Sequence, residues 1–209
     1  TFFRQKKLRL ELREILAGDY DRIVLWRSSF GYNVPLFQRP QHIARNLARE
    51  RCLVFYEVTT MTDKIKTFRK NEAELYLFNF NNLLLNRLLM QELERVDKPK
   101  YIQVYSTDWK LSKQAIENYR AWGFGFIYEY IGRCGDRQLG KLAGTKELPQ
   151  FITDKYDYAM SHEDVYIVVT AELLRQDVLK HRSGERVAFS SNGVDNAFFR
   201  SFDENYRFE

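Results

Sequence analysis

Residues 22–58 read RIVLWRSSFGYNVPLFQRPQHIARNLARERCLVFYEV, and this stretch decides the fold class. It opens on the short apolar run Arg22–Trp26, of strand length and too short for a helix. A polar loop follows, and Pro40 then stands where the first turn of a helix tolerates a missing N–H. Ile43, Ala44, Leu47 and Ala48 recur at helical spacing, so the segment predicts one apolar helix face. Residues 52–58 (CLVFYEV) form a second continuous apolar run. Two unbroken apolar strands joined by an amphipathic helix are expected where both faces of a parallel sheet are covered.

The alternation extends in both directions. Leu8, Leu12, Ile15 and Leu16 predict a helix over 5–17, stopped by Gly18. Downstream, strands are expected at 100–106 (KYIQVYS), 124–131 (FGFIYEYI), 165–170 and 186–190. Helices are expected at 82–96, around Leu111–Tyr119 with Gly123 as its stop, near 149–162 and at 171–181. Residues 59–81 are less regular, with one further strand near residue 77. A looser stretch with four glycines occupies 132–144, and Gly123-Phe124-Gly125 reads as a turn opening a strand. The pattern predicts a Rossmann-like α/β domain: a parallel sheet of about six strands with helices on both faces. Three parts are expected: a basic helix at 1–18 packing on the domain, the domain at 19–199, and a hinge with the start of a further domain at 192–209.

Composition narrows the function classes. With 44% hydrophobic and 29% charged residues, the 209-residue chain has the apolar content that disordered and fibrous chains lack. No run nears the roughly 18 apolar residues of a spanning helix, and the first residues lack the pattern of a secretory signal. Cys52 and Cys134 form no metal or redox spacing, and no Asn-x-Ser/Thr acceptor occurs. The expectation is a cytoplasmic location, peripheral to the inner face of a membrane if the basic first segment docks there. The chain begins with Thr1, as an excised piece would. The formal net charge is +5, and residues 1–17 hold five basic against two acidic side chains, +3 of that total. Charge collected on one terminal segment argues against a nucleic-acid partner. A solvated helix packing its leucines is one reading of that segment. The other is docking on anionic lipid, at about 1 kcal/mol per basic residue near the surface.

Ligands of open parallel sheets collect beyond the carboxyl ends of the strands. That rule selects the loops at 27–41, 59–63, 107–109, 129–136, 170–172 and 192–195. The loop at 27–33 has one glycine, Gly31, and no G-x-G-x-x-G; no Walker loop or Gly-x-Ser-x-Gly elbow occurs. Arg39, at a helix start, is a candidate clamp for an anionic oxygen. Glu129, at a strand end, is a candidate for proton transfer or hydroxyl binding, with a ladder-edge carboxylate bonded to backbone as the plain alternative, and Asp108, in the loop at 107–109, is a further candidate for the same roles. His42 reads as a helix-surface histidine, and His162 as a partner of a helix carboxyl end. Asn192-Gly193 is a turn dipeptide and Asp195 a cap.

The segment Phe37-Gln38-Arg39-Pro40-Gln41-His42, a Gln-Arg-Pro-Gln opening the first helix, resembles the amino-terminal domain of GT-B glycosyltransferases of the family 4 and family 1 kind. Leu53-Val54-Phe55-Tyr56-Glu57 resembles that family's second strand. Tyr128-Glu129-Tyr130-Ile131 resembles its Tyr-acidic-x-x-acidic segment, with Gly132 where the second acid is expected. Val168-Val169-Thr170-Ala171-Glu172-Leu173-Leu174 and Ser191-Asn192-Gly193-Val194-Asp195-Asn196-Ala197-Phe198-Phe199 resemble its last strands and interdomain hinge.

The resemblance implies the acceptor-binding half of an enzyme that moves a sugar from a nucleotide diphosphate donor to a saccharide or lipid-linked acceptor, in bacterial surface polysaccharide synthesis. It implies no metal and no cofactor beyond the donor substrate. Ser28, Ser29, Phe30 and Gly31 would lie near donor phosphates and acceptor, with Arg39 and Gln41 holding the first helix and loop. Glu129 and Asp108 would be the catalytic candidates, and Asn192, Gly193 and Asp195 the hinge. A second Rossmann domain after the hinge would be the main partner, and this half alone would not turn over. The alternatives are a non-catalytic carbohydrate-binding or scaffold domain, or one module of a larger synthase.

Overall fold

The computed structural model describes residues 2–35, 37–59, 62–132 and 148–193. In chain order the elements are α1 (Phe2–Leu16), β1 (Arg22–Trp26), α2 (Arg39–Arg49), β2 (Cys52–Glu57), β3 (Phe68–Glu72), β4 (Leu75–Phe78) and α3 (Leu83–Leu93). There follow β5 (Lys100–Tyr105), α4 (Lys113–Ala121), β6 (Gly125–Tyr130), α5 (Gln150–Ser161), β7 (Tyr166–Val169), α6 (Glu172–Val178) and β8 (Val187–Phe189). The strands form one sheet in the order β3-β4-β2-β1-β5-β6-β7-β8. Every neighbouring pair is parallel except β3 on β4.

The α/β, mostly parallel architecture matches the sequence expectation, with eight strands rather than about six. The strand near residue 77 is β4, paired parallel with β2. β3 was not legible because its sequence, FRKNE, has one apolar residue. An edge strand lying largely in solvent needs no apolar alternation, and its charges blunt the edge against further pairing.

Alternate residues of the strands feed two cores. Ile23, Leu25, Leu53, Phe55, Ile102, Val104, Phe126 and Tyr128 face one side, where α1, α3, α4, α5 and α6 contribute buried residues. Val24, Trp26, Val54, Tyr56 and Tyr105 face the other, where α2 supplies Ala44 and Ala48. Beyond α2 on this second face, an apolar groove of about 380 Å³ runs past Leu47, Tyr101, Ile127, Tyr166 and Val168, with Gln103 in its wall.

Local chemistry sets the helix ends. Asn82 caps α3 by accepting the Leu85 N–H at 3.1 Å, and Ser112 caps α4 by accepting the Ala115 N–H at 3.2 Å. Gly123, at φ +85°, closes α4. α1 docks on α3 through buried Leu8, Leu12 and Leu16. Two of its five basic side chains, Arg9 and Arg13, are turned to Glu92, each at 2.8 Å. Among the described residues no helix is long and apolar enough to cross a membrane.

Candidate functional site

Strand order reverses between β1 and β5, the switch point at which open α/β sheets hold ligands. The loop leaving β1 is fastened there from all sides. Ser28 N–H and the Arg27 guanidinium donate to Glu57 at the end of β2, at 3.1 and 2.9 Å. Lys110 adds a second cation 3.4 Å from Glu57. Arg27 also donates to Tyr119 Oη at 2.9 Å and lies over the Phe80 ring. Ser29 donates to Asp108 through its N–H (2.6 Å) and its hydroxyl (2.8 Å), and Lys110 N–H donates to the same carboxylate. The buried Lys155 ammonium donates to the Asp108 carbonyl. Farther along the loop, Asp63 accepts the N–H groups of Tyr32 (3.0 Å), Asn33 (2.8 Å) and Thr59 (2.8 Å). Gln41 donates to Gly31 O at 2.8 Å and accepts from Gln38 N–H at 3.1 Å, joining loop and helix start.

Gly31 is glycine because of close approach. A Cβ placed there would sit 1.9 Å from Thr62 Oγ1 and 3.1 Å from both Asp63 Oδ2 and Thr59 Oγ1.

A second cluster lies at the ends of β5 and β6, on the α2 face. Glu129 is paired across the strands with Tyr105. One of its oxygens accepts from Gln103 Nε2 at 2.6 Å and the other from Arg39 at 3.2 Å. Arg39 also donates to Ser191 O at 3.2 Å, tying the segment after β8 to the start of α2. The Glu129 side chain is 2% exposed and that of Arg39 15%. Three buried polar atoms here lack a hydrogen-bond partner: Arg39 Nε, Gln103 Oε1 and Tyr105 Oη. Burial pushes the Glu129 carboxyl above its ordinary range, against the opposing pull of Arg39 and Gln103. The Tyr105 hydroxyl is raised by burial and then by the Glu129 charge, which keeps it a donor. The pair is formally neutral, and its acid has an enhanced affinity for a proton.

The sequence candidates therefore divide. Arg39 and Glu129 meet directly, through residues 90 positions apart. Asp108 meets Ser29 instead, and its two oxygens are occupied by Ser29 and Lys110. Ser28 is buried, its hydroxyl accepting from Phe30 N–H at 3.0 Å. Phe30 stands 42% exposed at the rim. Gly31 and Gln41 contact each other as loop and brace. Asn192 and Gly193 are exposed and neither takes a positive φ, so the freedom of the dipeptide is unused. Asp195 and Cys134 lie outside the described residues. His42 packs edge-on against Phe37, and His162 Nδ1 lies 2.8 Å from Tyr158 O at the end of α5.

Sequence reasoning missed Gln103, Tyr105 and Glu57 as parts of the site, and it selected the loop at 59–63 without singling out Asp63. The usable signal was polar residues inside apolar strands: Gln103 within KYIQVY and Glu57 closing CLVFYE. Among the described residues no group of three His, Cys, Asp or Glu side chains is arranged to hold a metal. No model of a known protein family matches the chain, and a search of curated proteins finds no match.

Proposed function

We propose that this chain is the acceptor-side half of a glycosyltransferase that uses a nucleotide diphosphate sugar. The observation that carries the reading is Glu129: a buried carboxyl with raised proton affinity, mounted at a strand end beside the switch point and held by Arg39 and Gln103. A group of this kind accepts a proton from an attacking hydroxyl more readily than a solvated carboxylate does. In this reading the loop at 28–31 is the rigid floor on which donor and acceptor meet. Arg39 fixes Glu129, and the segment from Ser191 leads toward a second Rossmann domain that holds the donor. The resemblance of the Gln38-Arg39-Pro40-Gln41 and Asn192-Gly193 segments to GT-B enzymes supports the same assignment.

Two observations favour a binding domain without catalysis. Asp108 is fully engaged in bracing the loop, and position 132, where the family pattern has a second acid, is glycine. Both readings are tested by expressing the chain joined to whatever coding sequence follows Glu209. That protein is supplied with uridine, guanosine and adenosine diphosphate sugars and a set of saccharide acceptors. Transfer that collapses by about a hundredfold or more in Glu129→Gln, the low end for general acid–base catalysis, supports the transferase. Saccharide binding without transfer supports the binding domain.

A further inference from the structure

The fold divides the basic first helix into two parts. Leu8, Leu12 and Leu16 of α1 are buried against the domain, and Arg9 and Arg13 answer Glu92 of α3. The turns before Arg9 have no such task. Arg4, Lys6 and Lys7 are exposed, and so is Arg87 on α3. Arg4, Lys6 and Arg87 have no acid within ion-pair distance among the described residues, and Lys7 has Glu11 at 3.9 Å.

Large apolar side chains stand among these cations. Phe3 is 85% exposed, Leu83 81% and Leu10 49%. Phe3, Lys6, Lys7 and Leu10 follow the spacing i, i+3, i+4, i+7, which is one helix face, turned away from Leu8 and Leu12. α1 and α3 pack side by side and run in the same sense, because α1 leads into the start of β1 and α3 into the start of its parallel neighbour β5. At about 1.5 Å per residue, Phe3 lies about 9 Å along α1 from Arg9, and Leu83 about 13 Å along α3 from Glu92. Arg9 and Glu92 touch, at 2.8 Å. The two apolar tips therefore stand at similar height, at the edge where the strands end. Charge is sorted along this shoulder: no acid lies between Phe3 and Leu10 or between Leu83 and Arg87, and Glu11, Glu14 and Glu94 follow toward the opposite end.

A single exposed apolar side chain needs no special account. Three of them, interleaved with unanswered cations on one shoulder, match a surface that is negative outside and apolar just beneath. We propose that the outer face of α1, with the start of α3, docks on an anionic lipid bilayer. Arg4, Lys6, Lys7 and Arg87 meet the headgroups, and Phe3, Leu10 and Leu83 enter the boundary with the acyl chains. The switch-point crevice opens at the same edge of the sheet, so docking holds it at the membrane surface. The proposal goes beyond the transferase reading and does not rest on it.

Sedimentation of the whole chain with vesicles tests it. One set is phosphatidylcholine alone, and the other contains about one-third phosphatidylglycerol. The chain should bind the anionic set, and less so at high salt. Lys6→Gln with Lys7→Gln should weaken binding about tenfold or more, at about fivefold for each basic side chain near the surface. Phe3→Gln with Leu83→Gln should weaken it about fivefold or more and keep the preference for anionic vesicles. All four side chains are exposed, so both variants should keep the parent melting temperature. Arg175→Gln with Lys180→Gln removes the same charge at α6, by the far edge of the sheet, and should bind as the parent does.

No binding to anionic vesicles, equal binding to phosphatidylcholine alone, or equal weakening by the α6 pair each overturns the proposal. Binding that ignores Phe3→Gln with Leu83→Gln does so too. Inorganic polyphosphate bound more tightly than the vesicles would also overturn it, and would mark the shoulder as a site for a soluble polyanion.

Discussion

Asp63 is the residue on which the shape of the crevice most depends, although it touches no other candidate for chemistry. It is buried and accepts three backbone N–H groups, from Tyr32, Asn33 and Thr59, together with Asn33 Nδ2 at 3.0 Å. Asp63→Ala removes these four contacts and a longer fifth from the Thr62 hydroxyl at 3.4 Å. Asn33 is exposed and Thr59 half-buried, so water can rehydrate their N–H groups at a cost of about 1 kcal/mol each. The Tyr32 N–H belongs to a buried residue and stays dry, which costs about 1–3 kcal/mol. The total is about 3–5 kcal/mol, a fall in melting temperature of roughly 10 °C for a chain of this length.

Asp63→Asn keeps one oxygen for Tyr32 and Asn33 and turns an amide toward Thr59 N–H, so it should cost less, about 1–2 kcal/mol. Urea unfolding gives the energies, and amide hydrogen exchange gives the location. In Asp63→Ala the Tyr32 and Asn33 amides should exchange far faster while those of β1 and β5 keep their ranking. A loss below 1 kcal/mol, or unchanged protection at Tyr32, would refute the claim that Asp63 holds this loop.

Three further outcomes follow from the same contacts. Because burial raises the Glu129 carboxyl above its unfolded value, the native state binds more protons there. Stability should therefore fall as pH rises from about 4 through the folded pKa, and Glu129→Gln should flatten that part of a melting-temperature profile taken from pH 4 to 8. Glu92 has the opposite sign. Burial alone would raise its carboxyl, but the Arg13 hydrogen bond and the charges of Arg13, Arg95 and Arg9 outweigh it and hold it below its ordinary range. Its contribution is present above the unfolded pKa and lost as pH falls through the folded one; with partly exposed arginines, Glu92→Gln should cost about 1 kcal/mol at pH 7 and nothing near pH 2. Finally, Gly31→Ala should destabilise by about 1–3 kcal/mol through crowding against Thr62, and Thr62→Ala in the same chain should recover part of that loss in urea unfolding.

The strands and helices that could be read ahead of the structure share one property: their apolar faces repeat within a few residues. Leu8, Leu12 and Leu16 announce α1, and CLVFYE announces β2, because each is buried by its own pattern. β3 escaped because an edge strand in solvent has no such pattern to display. The site is a harder case. The positions of Arg39 and Glu129 on a helix start and a strand end follow from local signals, but their contact spans 90 residues and depends on β5 and β6 lying on the far side of the switch point. Asp108 illustrates the opposite outcome. Its place in the loop beyond a strand made it a candidate for proton transfer, and only the three-dimensional arrangement places Ser29 and Lys110 on its oxygens.

That contrast says which polar residues of such a sheet merit attention. Asp108 and Asp63 have their oxygens engaged by loop backbone, as a structural carboxylate requires when buried. Glu129 has its oxygens engaged as well, but by side chains whose own remaining atoms, Arg39 Nε and Gln103 Oε1, are left without partners, with Tyr105 Oη in the same state beside them. A buried atom without a partner costs free energy in the fold, and three around one carboxyl are not explained by packing. The surplus of unmet hydrogen bonds, more than the carboxyl itself, distinguishes the Glu129 cluster from the braces around it and makes Tyr105→Phe the sharpest single change. That hydroxyl bonds nothing among the described residues, so its removal should leave the melting temperature unchanged or higher, and a fall would show that it has a partner in the fold after all.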